Sequence, residues 1–594
     1  MTTFRLFCGI ALLGWSGTLA AQTAPASSLH WQPWSEEVFA QAKRENKFVI
    51  LDLEAVWCHW CHVMEETTYR DPAVMVLMNE RYIAVRVDQD SRPDLSNRYE
   101  DYGWPATIVF ASDGSEIVKK QGYVPPERMK AMLQGIIDDP SPLVSRDAAV
   151  ENATGGDTVL SADRLKELRD QLVNGYDDHE GGWGFSHKFL DWDAVEYSMR
   201  AAGRGDQRAA DMARTTLRLQ RKLLDPVWGG VYQYSVGGKW DEPHFEKIMQ
   251  MQAENLRIYA LAYARWGEAD DLAMAGAIHG YLRKFLTSAD GVVYTSQDAD
   301  LVPGEHSADY YALDDAGRRA RGIPRIDRHV YSRENGWVIA ALVQLAAATG
   351  DDNYRIEAER AARWLIGHRS IEGGGFRHDE KDAAGPYLGD TLAMGRAFLA
   401  LHQLTQNPEW LAHATAAAGF IHDHFGRGAL PGYASSDTKR ETFPAPRPQY
   451  DENTGVARFA AALSRVTGRA EHRALAEPAL RWVLTTAVTA DRGFYVGGAL
   501  LAEEELRMEP VHVMILGAKD NPVARAMYVA ALRFPDQHKL VEWWDRREGP
   551  APRGEDIFPE LELPAAFLCA NGACSSPITN ALTFEKRLMR LYQH

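Results

Sequence analysis

The chain has 594 residues, 45% of them hydrophobic and 25% charged, with a formal charge of -17 and five cysteines. It is too long for one ordinary domain and too rich in apolar residues for a disordered or fibrous class. The acidic balance argues against nucleic acid or an anionic membrane surface as partner, because Lys and Arg hold those surfaces.

In chain order, residues 1–21 carry Arg5, an apolar run from Leu6 to Leu13, and small residues ending before Gln22. This is the anatomy of a secretory signal peptide. Gly14, Ser16, Gly17 and Thr18 interrupt the run well short of the about 20 apolar residues a membrane anchor needs. Cleavage removes Cys8, and the mature chain is expected in the periplasm or outside the cell, with no membrane insertion. Four cysteines then remain as two close pairs, Cys58 with Cys61 and Cys569 with Cys574. An even count suits an oxidising compartment.

Residues 31–140 alternate helix and strand patterns. "SEEVFAQAKRENK" predicts a helix, "FVILDLEAV" a buried strand, and a second helix begins near Cys58. The strands "YIAVRV", "PATIVFA" and "EIVKKQGY" and the helix "PERMKAMLQGII" complete a mixed sheet with helices on its faces. Residues 141–158 are rich in Pro, Gly, Ser and Asp and read as a linker. Residues 159–508 are mostly helical, punctuated by six glycine-aromatic loops from "GGWGF" at 181–185 to "RGFYVGG" at 492–498. About two helices fit most intervals, which predicts six stacked hairpins closing into an all-α (α/α)6 toroid with its loops at one mouth. The longest interval holds "DADLVPGEHSADYYALDDAGRRARGIPRIDRH", an excursion over that mouth. Residues 509–594 alternate strand and helix again as a small α/β appendage. The expected fold class is therefore multidomain, with α/β, all-α and α/β parts in that order.

The stretch "LEAVWCHWCHVMEE" concentrates the chemistry. As a pattern it serves c-type haem attachment, zinc ligation or a redox dithiol. Cytochromes set the haem motif in a small helical domain, whereas here a buried strand runs into it. Four neighbours on one helical turn do not readily surround a tetrahedral zinc ion. No metal or cofactor is therefore expected, and the remaining alternative to a redox pair is a plain structural disulfide. In the redox reading Cys58 sits at a helix N-terminus, where the dipole and free N–H groups favour a thiolate, and a protonated His59 reinforces it. Cys61, one turn on, is the resolving thiol.

The first domain resembles thioredoxins and disulfide oxidoreductases. That resemblance implies that Asp52, six residues before Cys58, is the buried acid exchanging a proton with the resolving cysteine, and that Pro105 of "GWPAT" is the cis-proline facing the dithiol. Between Cys569 and Cys574, "CANGAC" centres on Asn-Gly, the preferred type I′ turn pair. The two cysteines then oppose each other with Cα atoms about 4.5 to 5.5 Å apart. A structural disulfide is the expected reading, with a relay dithiol as the alternative.

In the helical region, polar residues gather near the loops: His187, then Trp240, His244 and Glu246, then Asp298 and Asp300, and finally Asp451, Glu452 and Asn453. Aromatic platforms beside carboxylates suit sugar rings, and paired acids or a His-Glu pair suit acid-base chemistry at an anomeric centre. Solvated loop charges are the plainer alternative. The strings "WCHWCHVMEE", "RPD", "GWPAT", "GGVYQYSVGGKWDEPHFEK", "QDAD" and "CANGACSSPI" follow the order of the spermatogenesis-associated protein 20 family, which the chain resembles over nearly its whole mature length. The resemblance implies a thioredoxin-like domain fused to a glycosidase-like six-hairpin barrel. Three departures touch the barrel mouth: a shortened segment between "RPD" and "GWP", His187 in place of proline in "PKF", and Met249 to Met251 where Tyr-Asp-Asn is usual.

The leading expectation is an exported thiol-disulfide oxidoreductase acting on a protein dithiol or disulfide, with the barrel as recognition platform. The alternative is a carbohydrate-active enzyme, an epimerase or hydrolase using His244 and Glu246, with a carbohydrate ligand in the barrel. A scaffold with an inert disulfide is the third class.

Overall fold

A computed structural model describes residues 28–142, 150, 153, 155–382, 384–426, 431–437, 445–550, 558–559, 561–570 and 573–590. The signal-peptide reading and much of the expected linker lie outside these residues.

The first domain is a four-stranded sheet in the order β2-β1-β3-β4, formed by β1 (Phe48–Glu54), β2 (Tyr82–Asp88), β3 (Ala106–Phe110) and β4 (Glu116–Gln121). β1 and β2 run parallel, and the other pairs are antiparallel. The apolar run of β1 buries its five interior residues, because helices cover both faces of the sheet. Helix α1 (Glu36–Glu45) packs through Val38 and Ala42, and α2 (His59–Thr67) through Cys61 and Met64. α3 (Pro72–Arg81) starts on an Asp71 cap with proline at its first position, α4 spans Pro93–Tyr99, and α5 (Pro126–Asp138) closes the domain. This is a thioredoxin-like sheet, with the dithiol where β1 hands over to α2.

The helical region is an (α/α)6 toroid. Among the described residues the inner ring is Trp192–Gly203, Met249–Trp266, Ser332–Thr349, Leu388–Thr405, Tyr450–Thr467 and Gly497–Arg507. Each packs on the next, and the last packs on the first. Outer helices such as Gln207–Gln220 and Asp352–Arg369 back them, and Ala162–Asn174 supplies the outer partner of the last inner helix. The inner helices are buried nearly all round, which is why their sequences are apolar on more than one face.

Two of the glycine-aromatic loops share one buried-charge device. Lys188 Nζ donates to Asp177 (2.8 Å) and to the Gly184 carbonyl (2.7 Å). Lys247 Nζ donates to Asp225 (2.7 Å) and to the Gly229 carbonyl (2.9 Å), and Arg318 adds a second cation on Asp225 at 2.7 Å. Each lysine ties its strand-like segment back across the loop, which fixes the direction in which residues just before Lys247 point. Gly182 has φ +82°, and a Cβ there would meet Trp240 Cζ2 at 2.6 Å. Trp240 is thus the wall against which the first loop closes.

The C-terminal appendage has strands in the order Lys539–Trp544, Val511–Leu516, Ala565–Ala570, Ala573–Cys574, with helices Pro522–Arg533 and Ala581–Arg590. It docks on the barrel partly through Tyr528, whose hydroxyl donates to the Gln403 carbonyl (2.7 Å). Cys569 and Cys574 pair across the last two strands and form a disulfide with Cα atoms 4.0 Å apart, closer than the sequence geometry predicts. Residues 571–572, the expected turn, lie outside the described residues. Among the described residues no helix is long and apolar enough to cross a membrane.

Candidate functional site

Cys58 has extended backbone geometry and caps α2, its sulfur accepting from the Cys61 N–H at 3.1 Å. The two cysteines form a disulfide with Cα atoms 5.3 Å apart. The Trp104–Pro105 peptide is cis, and Trp104 packs on the cluster that contains both cysteines. Asp52 lies on β1, 2% exposed, in register with Arg86 of β2, and accepts from Arg86 Nε at 3.0 Å. Arg86 also donates to Glu65 and stacks over Trp31. Burial pushes the Asp52 carboxyl up to about 7, against the opposing charge of Arg86. The acid is therefore poised near neutrality instead of being a plain carboxylate.

The barrel covers this site. Both cysteines are only 3% exposed, while the intervening Trp60 is 40% exposed and stacks on Tyr123. Ile248 of the barrel packs against the Cys58–Cys61 cluster. Glu246, held by the adjacent Lys247 anchor, accepts from the His59 backbone N–H at 3.4 Å. Asp300 accepts from both imidazoles of α2: His59 Nδ1 lies 2.8 Å from Oδ1, and His62 Nδ1 lies 3.0 Å from Oδ2. Asp298 Oδ1 stands 3.8 Å from His62 Nδ1, and the Ala299 N–H donates to the Trp57 carbonyl at 3.3 Å.

The electrostatics follow this packing. Burial works against ionisation of Asp300, but the hydrogen bonds from His59 and His62 outweigh it and hold the carboxyl below its usual range. Burial raises the Asp298 carboxyl to about 7, with His62 opposing. His62 is raised overall, because Asp300 and Asp298 overcome its desolvation. The long excursion thus supplies the contacts that close over the dithiol helix.

A separate cavity of about 340 Å3 occupies the barrel mouth. Its walls are the N-terminal halves of five inner helices, including Asp193, Glu254, Arg333, Arg396 and Glu452, and its cap comes from the first domain, including Trp57, Asp90 and Trp104. Burial pushes Glu452 up to about 8, with Arg333 and the Asn97 hydrogen bond opposing. It pushes Asp193 up to about 7, with Arg458 opposing.

Of the sequence-predicted barrel residues, His187, Trp240, His244, Glu246, Asp298 and Asp300 do not line this cavity. Trp240 is 1% exposed, and its indole N–H donates to the Glu180 carbonyl at 3.0 Å, so the aromatic-platform expectation gives way to a packing role. His244 stacks on Tyr234, and His187 meets the same ring edge-on. Glu246, Asp298 and Asp300 turn to α2 instead. Asp451 and Glu452 do line the cavity, while the neighbouring Asn453 binds the loop backbone at Tyr433. Asp193, Glu254, Arg333 and Arg396 went unnamed in the sequence because each sits inside a largely apolar helical pattern. A charged residue in such a pattern was the available signal.

Residues 19–138 match the family model Thioredox_DsbH, described as "Protein of unknown function, DUF255". Spermatogenesis-associated protein 20 of Mus musculus is 29% identical over 310 residues, covering 46% of this chain and 39% of its own length. The match thus spans well under half the length of that relative. Thiol:disulfide interchange protein DsbD 1 of Pseudomonas aeruginosa is 29% identical over 136 residues, 19% of this chain and 23% of that one. Among solved structures, cellobiose 2-epimerase from Spirochaeta thermophila superposes with TM-score 0.44 at 13% identity, over 58% of this chain and 96% of that chain. By these matches the chain is similar to the spermatogenesis-associated protein 20 family, with a first domain of the DUF255 thioredoxin-like type.

Proposed function

We propose that the chain is an exported thiol-disulfide oxidoreductase. The observation that carries this is the Cys58–Cys61 pair at the N-terminus of α2, packed against Trp104 of the cis Trp104–Pro105 peptide, in a domain whose β1 carries the buried acid Asp52 raised to about 7. In the reduced enzyme the Cys58 thiolate attacks a partner disulfide, forms a mixed disulfide and releases one partner thiolate. Cys61, losing its proton to Asp52, then attacks the Cys58 sulfur, re-forms the internal disulfide and releases the second thiolate. Two electrons pass from enzyme to partner, and the reverse sequence oxidises a partner dithiol. His59 orients the helix terminus through Asp300. Because the barrel loop covers Cys58, the partner engages when that loop lifts, and the barrel serves as recognition platform. Two disulfide pairs and the N-terminal leader pattern support export.

The test is exchange with a small fluorogenic disulfide and partner trapping. Cys58→Ser should abolish exchange, and Cys61→Ala should accumulate mixed disulfides through Cys58. Undiminished exchange in Cys58→Ser refutes the proposal.

The tryptophans Trp57, Trp104, Trp192 and Trp337 around the acid-lined cavity favour a second reading, a carbohydrate held in the barrel mouth. A saccharide binding screen on the full chain tests it. Binding lost in Trp337→Ala supports this reading, and binding indifferent to that change counts against it.

A further inference from the structure

The groups that clamp the barrel onto α2 form a ligand set. The ligating atoms of His62, Asp298 and Asp300 all lie within 4.8 Å of one another. Around a divalent ion with bonds of about 2.0–2.2 Å, neighbouring ligand atoms sit roughly 3–3.5 Å apart. The observed His62 Nδ1 separations, 3.0 Å to Asp300 and 3.8 Å to Asp298, straddle that spacing. The other Asp300 oxygen is held by His59 Nδ1, the kind of outer hydrogen bond that orients a ligating carboxylate.

A second observation points the same way. Glu246 is 3% exposed, and its Oε2 has no hydrogen-bond partner. His244 Nδ1 stands 3.8 Å from that oxygen, too far for a hydrogen bond. Glu246 Oε1 accepts from the His59 backbone N–H at 3.4 Å, and the His59 ring holds Asp300 at 2.8 Å, so one residue links this carboxylate to the ligand set. Three buried carboxylates, Glu246, Asp298 and Asp300, therefore gather around His59 and His62. A buried carboxylate oxygen without a partner is costly, and an ion carrying two positive charges relieves that cost.

We propose that His62, Asp298 and Asp300 bind a divalent first-row transition cation of the zinc class, with His59 as the outer partner of Asp300. The site is distinct from the cysteines. The zinc reading of the sequence placed all four ligands on one helical turn, whereas here one histidine comes from α2 and two carboxylates come from about 240 residues downstream. One imidazole and two carboxylates, with no thiolate, suit borderline ions held by nitrogen and oxygen. The ion fastens the excursion to the helix that carries Cys58, so the clamp is a metal bridge between domains. Its occupancy does not depend on the dithiol reading, because the ligands are the same whether or not Cys58 exchanges.

The test uses the untagged full chain with both cysteine pairs oxidised, stripped with chelator and then titrated with Zn2+. About one equivalent per chain should remain after desalting by elemental analysis, and thermal unfolding should shift upward on loading. Affinity should fall by more than about a hundredfold in Asp300→Asn and in His62→Gln. X-ray absorption of the loaded wild-type protein should show nitrogen and oxygen neighbours only, a readout that survives if either variant folds poorly. Failure to retain zinc, retention unchanged in both variants, or a sulfur neighbour would each overturn the proposal.

Discussion

Asp52 shows how one residue carries both a cost and a function. Its carboxyl is raised from 3.8 to about 7, mainly by burial, with Arg86 opposing. A raised carboxyl stabilises the fold fully only below its unfolded pKa. As pH climbs from about 4 through 7, the unfolded chain has lost the proton that the folded chain still holds, and stability is lost. A shift of about three units corresponds to about 4 kcal/mol, and the loss of a partner for Arg86 reduces what a substitution recovers. Asp52→Asn is therefore expected to stabilise the protein by about 2 kcal/mol at pH 8 and by nearly nothing at pH 4. Urea denaturation at the two pH values checks this, and equal effects at both would contradict it. In the proposed exchange the same carboxyl takes the Cys61 proton, which requires it to be ionised. Wild-type exchange should rise through about pH 7, and Asp52→Asn should lose that rise and fall by on the order of a hundredfold.

At the level of elements, the fold is governed by where buried charges anchor loops. Lys247 and Arg318 are 0% exposed and share Asp225, whereas the Arg44–Glu37 pair at 2.7 Å is solvent-exposed. The distances are alike, but the consequences of removing a partner are not. Lys247→Met leaves Asp225 with one cation and frees the Gly229 carbonyl, and should cost about 3 kcal/mol. Arg44→Ala should cost less than about 0.5 kcal/mol. Urea midpoints of the two variants compare them directly, and similar shifts would reject the anchoring role. The same contrast explains what the sequence made legible. β1, the C-x-x-C helix and the six hairpins could be read because each depends on local patterning: a buried apolar run, an N-terminal cysteine, or glycine-aromatic punctuation; the cis-proline position came from the resemblance to thioredoxins. The closure of Asp300 over α2 could not, since it joins residues 238 and 241 positions apart and depends on how two whole domains dock. Trp240 was misread for a related reason: an aromatic residue near a loop looks the same in sequence whether it faces a ligand or a glycine.

For the whole molecule, the first domain is the lid of the barrel, and His378 is one of its fastenings. His378 is 1% exposed, with Nδ1 2.9 Å from Asp390 of the inner helix Leu388–Thr405 and Nε2 2.7 Å from the Asp90 carbonyl of the first domain. A carboxylate and a carbonyl only accept, so both contacts are hydrogen bonds only when both ring nitrogens carry protons. Burial alone would lower the imidazolium, but Asp390 outweighs it and raises His378 from 6.5 to about 9. A raised histidine contributes fully below pH 6.5, and the contribution is lost as pH climbs through about 9. The shift corresponds to about 3 kcal/mol. Melting should therefore weaken between pH 6.5 and 9 in the wild type, and less so in His378→Gln. Asp90 also accepts from the Trp57 indole at 2.7 Å, and Trp57 immediately precedes Cys58. Releasing the His378 fastening thus loosens the segment that holds the dithiol closed. After reduction, alkylation of Cys58 should accelerate more steeply with pH in the wild type than in His378→Gln, which begins released. Because thiol ionisation contributes equally to both proteins, the ratio of their rates isolates lid opening. A ratio that stays flat from pH 6.5 to 9 would show that the lid and the dithiol are uncoupled.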